Sequence, residues 1–176
     1  MKKLLLLLPL LFVSCHLFAQ KFGYVDSEYI LKQMPEYKEA QAEIDQLAQS
    51  WQEEIRQMYK TIESMHDEYK AQEVLLTDEM KQQKLEEIRK KEEEAKAYND
   101  KVFGPDGLYF LKKKELIKPS MEKVYEAVEK VAKDKKLQIV FDKAGDLIMI
   151  YTNPVHDYTD YVLEELGLGD PNDVIK

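Results

Sequence analysis

Apolar side chains recur through residues 36–73 at Ile44, Leu47, Trp51, Ile55, Met58, Ile62, Met65 and Tyr69. The spacing is three or four throughout with one stutter, and the stretch holds no Gly or Pro. That spacing predicts a long helix with a coiled-coil stripe. The positions between are almost wholly Glu, Gln, Lys and Asp. So narrow a stripe packs one partner and leaves the rest of the helix wet. At 1.5 Å per residue, roughly 38 residues reach roughly 57 Å, too long for a compact domain of this size, so the helix is expected to project. Val74-Leu75-Leu76-Thr77-Asp78 breaks the stripe. Thr77 or Asp78 can cap a second helix, with acidic residues in its first turn. A weaker stripe then runs through Met80, Leu85, Ile88, Ala95, Tyr98 and Val102, and Glu92 takes a place the seam would fill with an apolar residue. Two such helices predict an antiparallel hairpin turning near Leu76.

The flanks read differently. Residues 22–25 (Phe-Gly-Tyr-Val) suit a strand, Asp26-Ser27 a helix cap, and 28–34 a short helix that ends where Pro35 begins the next. Phe103-Gly104-Pro105-Asp106-Gly107 is a strong break. Helix resumes over 108–136, with Pro119 expected to kink or restart it and with Met121, Val124, Tyr125, Val128, Val131 and Ala132 on an apolar face. Residues 137–141 and 147–151, around a turn at 143–146, read as a β-hairpin. Asp157-Tyr158-Thr159-Asp160 caps a last helix that Gly167 ends. The strands are apolar on both faces, whereas an antiparallel sheet with one wet face would alternate. One face can pack on the helix carrying Val124 and Val131; the other needs cover from further copies of the chain.

The expected fold is therefore α+β. A small β-body has three strands per chain and an oligomeric sheet assembly, and it carries a long antiparallel α-helical hairpin arm. The body takes residues 20–35 and 108–176, and the arm takes 36–107. Phe22, Tyr24, Ile139, Phe141, Ile148 and Ile150 are the expected oligomer interface. With the turn near Leu76, Trp51 lies opposite the break at Phe103, Gly104, Pro105 and Gly107, an expected arm hinge. Val74, Leu75 and Leu76, the only three-aliphatic run of the outer arm, together with Met80, form the tip. They either cap the seam or touch other polypeptides.

Composition and charge narrow the function. Charged residues are 34% of the chain and the formal net charge is −8, a poor balance for holding phosphates. Met1-Lys2-Lys3 followed by a nearly unbroken apolar run to Val13 is too short to span a bilayer but fits a signal peptide over 1–19. Cleavage after Ala19 removes two lysines and the sole Cys, leaving 24 basic residues and a net charge of −10. The alternative reads Phe12-Val13-Ser14-Cys15 as a lipobox that leaves Cys15 acylated, the one route to membrane contact. No catalytic residue, metal ligand set or cofactor loop stands out. His66 and His156 are the only histidines after the leader, and His66 reads as a surface residue. The glutamates at 92–94 read as a solvated face, and no enzyme chemistry is expected.

The order of these features resembles the OmpH/Skp family of periplasmic chaperones. The resemblance rests on the signal peptide, residues 22–27, Gln33-Met34-Pro35-Glu36-Tyr37, the charged hairpin, Leu137-Gln138-Ile139-Val140-Phe141-Asp142, Asp157-Tyr158-Thr159-Asp160 and Val162-Leu163. It covers essentially the whole chain after the leader, and residues 103–110 look like the Bacteroidetes variant. It implies a homotrimer whose hairpins enclose a cavity. There, unfolded outer-membrane β-barrel proteins are held in the periplasm without ATP. One departure is charge: residues 38–103 carry 11 basic and 17 acidic residues, whereas the best-known members are basic. Residues 108–136 carry 9 basic and 5 acidic ones. That puts lipopolysaccharide binding by the arms in doubt. The competing reading is a structural coiled-coil spacer or lipid-anchored tether that binds no client.

Overall fold

The computed structural model describes residues 21–169; the leader, Ala19 and Cys15 lie outside the described residues. The elements run β1 (Phe22–Val25), α1 (Ser27–Gln33), α2 (Pro35–Gln72), a 3₁₀ turn (Glu73–Leu75), α3 (Asp78–Phe103), α4 (Leu108–Lys135), β2 (Ile139–Asp142), a second 3₁₀ turn (Pro154–His156) and α5 (Thr159–Glu165). The chain divides into two compact units, one of residues 21–31 with 123–169, the other of residues 32–122.

In the first unit β1 and β2 pair in parallel, from Phe22 opposite Ile139 to Val25 opposite Asp142. A parallel pair needs a long crossover, and the whole helical excursion between the strands supplies it. The expected third strand and β-hairpin are not formed: among the described residues the sheet has two strands, and residues 147–151 belong to neither. The cause lies at Asp142, where β2 stops. Its carboxylate accepts from Ser27 N, Ser27 Oγ and Ala144 N, which binds the chain to the start of α1 and into a turn rather than into a hairpin. On the far side of β1, Tyr24 bridges Asp157, and Tyr24 O accepts from Tyr158 N at 2.9 Å. Asp157 Oδ1 in turn accepts from Thr159 N at 2.9 Å and opens α5.

The core of this unit joins Tyr24, Val25, Ile30 and Leu31 with Val124, Ala127 and Val131 of α4, and with Leu137, Tyr158, Val162 and Leu163. Val124, Ala127 and Val131 share one helix face at spacings of three and four. Tyr125, expected on that face, is exposed. Helix α4 continues through Pro119, so the expected restart does not occur.

In the second unit α2 and α3 form the hairpin. Pro35 sits in the first turn of α2, where its missing N–H costs nothing. Thr77 is the N-cap of α3: its Oγ1 accepts from Met80 N at 3.3 Å. Ile55 and Ile62 of α2 and Ile88, Ala95 and Val102 of α3 are buried along the hairpin, the last three a heptad apart, and Ala40 and Ile44 are buried further from the turn on α2. Met58, Met65 and Tyr69 flank the cluster of Ile62, Ile88 and Ala95. Met80 and Leu85 are about half exposed, so the seam thins towards the turn.

Candidate functional site

Three surfaces of the two units carry apolar side chains without cover. The first is the hairpin turn. The 3₁₀ turn closes with Leu76 N donating to Glu73 O, and Leu76 tucks partly inward. Val74 and Leu75 stand 90% and 81% exposed beside a half-exposed Met80. Leu76 thus takes the capping role that the sequence left open for the whole run, while Val74 and Leu75 face water.

The second surface is a groove along the hairpin. Glu54 accepts a short hydrogen bond from the Tyr98 hydroxyl, and His66 Nε2 lies 3.0 Å from Glu92 Oε1. Both pairs cross from α2 to α3, and they fix an antiparallel register centred near Leu76. The Glu54 hydrogen bond, helped by slight burial and by the carboxylate charge, holds the Tyr98 phenol above its ordinary pKa. Around the Glu54–Tyr98 pair opens a groove of about 1040 Å³ with Met58, Ala97 and Tyr98 among its lining and Glu53, Glu54 and Glu94 beside them. Glu53 is bridged by Arg56 at 2.7 Å and Glu94 by Lys91 at 2.7 Å. The hydrogen bond from Lys91 holds the Glu94 carboxyl below its ordinary pKa.

Sequence reasoning read His66 as a plain surface residue and did not find Tyr98–Glu54. The polar intruder Glu92 was the available signal: a carboxylate in a seam asks for a partner, and His66 is that partner.

Of the expected hinge residues, Phe103, Gly104 and Pro105 line a separate pocket of about 430 Å³, and Trp51 and Gly107 are not in its lining. Gly104 N donates to Asp100 O at 2.8 Å, and a side chain on Gly104 would meet that same oxygen at 2.2 Å, so only glycine fits. Pro105 follows, and Asp106 takes a left-handed φ of 56°. Phe103 meets Tyr109 with ring centroids 5.9 Å apart, a partner four residues beyond Pro105. Trp51 is half-buried on α2.

The third surface lies on the first unit. Phe22, Ile139 and Phe141 on the sheet are substantially exposed, as are Leu147, Ile148, Ile150 and Tyr151 after it. Ile148 and Ile150 are 88% and 97% exposed. Of the six expected interface residues, only Tyr24 is covered by its own chain. A cavity of about 430 Å³ lies between the sheet and residues 147–153, and Phe22 stacks at 4.6 Å on His156 beside it. Among the described residues no group of His, Cys, Asp and Glu is placed to hold a metal ion, and no helix is long and apolar enough to cross a membrane.

The family model for OmpH-like outer membrane protein matches residues 21–166. The chain belongs to the OmpH-like family. A crystal structure of a candidate outer membrane chaperone (OmpH-like) from Caulobacter crescentus superposes with a TM-score of 0.67. That match covers 88% of this chain and 90% of the other at 13% identity, a likeness of fold. No curated protein matches the OmpH-like chain significantly.

Proposed function

We propose that this OmpH-like protein is an ATP-independent holdase of the periplasm. It would bind unfolded outer-membrane β-barrel proteins between the helical arms of a homotrimer and keep them from aggregating. The observation that carries the reading is the placement of Val74 and Leu75, two exposed aliphatic side chains at the turn of an otherwise charged hairpin. A holdase must bind the unfolded chain and leave the folded one, which is mass action alone. Without ATP, release has to come from client folding elsewhere, so each contact must be weak and several must act together. An unfolded barrel exposes apolar residues at alternate positions of many strands and offers such repeated contacts. A continuous apolar wall would aggregate instead. The uncovered face of the first unit supplies the surface for assembly, and the Phe103–Gly107 break opposite Trp51 is the proposed hinge of the arm.

Changing Val74 and Leu75 together to Ser removes exposed apolar area without adding charge and leaves Leu76 in its capping place. The trimer mass and helix content should hold, because the buried seam residues Ile62 and Ile88 are untouched. Suppression of aggregation of a denatured outer-membrane barrel diluted from urea should weaken several-fold through lost multivalency. A wild-type protein that gives no suppression would leave the spacer or tether reading. Equal suppression by the mutant would move client holding from the tip to the walls.

A further inference from the structure

The groove between α2 and α3 has a chemistry of its own. It is an open groove of about 1040 Å³, suited to a segment laid along it rather than to an enclosed small ligand. Met58, Ala97 and the Tyr98 ring give it apolar surface, while Glu53, Glu54, Glu94 and Lys101 line its polar side, with Glu53 bridged by Arg56 and Glu94 by Lys91. The Tyr98 hydroxyl is held by Glu54, which fixes the ring in place. The helices that form the groove carry a net negative charge, 11 basic against 17 acidic residues over 38–103.

We propose that this groove is a subsite for cationic, apolar segments of non-native polypeptide: an aliphatic or aromatic side chain seated on Met58, Ala97 and Tyr98, with a neighbouring Lys or Arg of the segment against Glu53, Glu54 or Glu94. The proposal rests on the holdase reading and gives it a selectivity. Charge complementarity decides the occupant. Glu54, which no cation bridges among the described residues, and the acidic excess of the hairpin, 17 acidic against 11 basic residues over 38–103, repel a phosphate or an acidic segment and attract an ammonium or guanidinium, which can also lie over the Tyr98 ring. The apolar lining excludes a purely hydrophilic cation as the preferred ligand, since burying Met58 and Tyr98 needs apolar area from the partner. Arg56 and Lys91 already neutralise Glu53 and Glu94 in part, so each contact stays weak, as exchange of a client requires.

The test uses the full mature protein and fluorescein-labelled peptides of about ten residues, the length of one barrel strand, in which Leu alternates with Lys, Glu or Ser. Fluorescence anisotropy should give the Lys peptide roughly tenfold tighter binding than the Glu peptide, about 1.4 kcal/mol. The preference should collapse as salt approaches 1 M, where the Debye length is about 3 Å. The triple change Glu53→Gln, Glu54→Gln and Glu94→Gln should remove the preference, leaving the Lys and Ser peptides alike. Ala97→Trp, at an exposed position beside the buried Ala95, should fill the groove and weaken all three peptides; circular dichroism checks that each variant keeps its helix. Equal binding of Lys and Glu peptides by the wild type, or a preference that survives the triple change in a helical protein, overturns the proposal. So does undiminished binding by a helical Ala97→Trp variant. Aggregation suppression by the wild type is measured beside these. If it persists while the peptide preference is absent, the groove proposal fails and the holdase reading stands. If it is absent while the preference is present, the reverse holds.

Discussion

Asp142 holds three donors at once, Ser27 N at 3.2 Å, Ser27 Oγ at 2.5 Å and Ala144 N at 3.0 Å. Ser27 is buried, so its hydroxyl has no ready exchange with water. Asp142→Ala should destabilise the protein by about 1–3 kcal/mol, the penalty of an orphaned buried donor, and a thermal melt should show the loss while Asp142→Asn keeps part of it. Tyr98 yields a pH prediction. Its phenol is raised above its ordinary value chiefly by the hydrogen bond to Glu54, so the folded pKa exceeds the unfolded one. The contribution of this bond is therefore fully present below the ordinary tyrosine range and is lost as pH climbs through the raised value. A tyrosinate absorbance titration should show one phenol ionising after the others, and Tyr98→Phe should remove that last step. A wild-type difference signal at or below the ordinary tyrosine range would contradict the assignment. Neither contact was legible in the sequence. A pair such as Glu54 with Tyr98 depends on the register between two helices, and helical spacing along one chain does not carry it; only Glu92, out of place in the apolar stripe, hinted at its pairing with His66. The clasp at Asp142 joins residues from opposite ends of the chain and left no local pattern.

Helices were readable where local chemistry punctuates them. Pro35 opens α2, Thr77 caps α3, and the Gly104–Gly107 break separates α3 from α4, each at the place its side chain or backbone demands. Strand pairing was not readable, because 139–142 and 147–151 are both apolar runs and nothing local says which partner β2 takes. Long-range closure by β1 decided it, and Asp142 stopped the strand. The helix ends also carry an internal comparison. Helix α4 closes with Lys136 N donating to Lys133 O and Leu137 N to Ala132 O; α5 closes with Gly167 N donating to Glu164 O and Leu168 N to Leu163 O. These are the same Schellman motif twice. Gly167 has a φ of 73° and no side chain to strain, but Lys136 takes φ 58° with a Cβ. Lys136→Gly should therefore stabilise the protein by about 1 kcal/mol, seen as a rise of a few degrees in melting temperature. No change, or a fall, would mean that the Lys136 side chain makes contacts worth as much as the strain.

At the scale of the whole molecule the question is what covers the first unit. Phe22, Ile139, Phe141, Ile148, Ile150 and Tyr151 leave an apolar surface open on a protein of net charge −8, and single exposed residues would need no explanation where this many together do. Residues 147–151, turned away from β2 at Asp142, add their exposed apolar side chains to this surface, and the proposed assembly would cover them. This gives the assembly proposal a sharper test than a core mutation. Tyr24 lies at 7% exposure inside its own chain, so a charge there would damage folding and say little about assembly. Ile150 is 97% exposed, so Ile150→Asp removes nothing from the fold of one chain. In an interface, though, it places an unpaired carboxylate where water is excluded, at a cost of several kcal/mol per subunit. Light scattering should then give the mass of a trimer for the wild type and a smaller, concentration-dependent mass for the mutant, with the helix signal of circular dichroism unchanged. An Ile150→Asp protein of wild-type mass would take residues 147–151 out of the interface and leave the sheet face of Phe22, Ile139 and Phe141 to hold the copies together. A wild type that stays monomeric at micromolar concentration would remove the trimer altogether, and with it the multivalency on which weak client contacts depend.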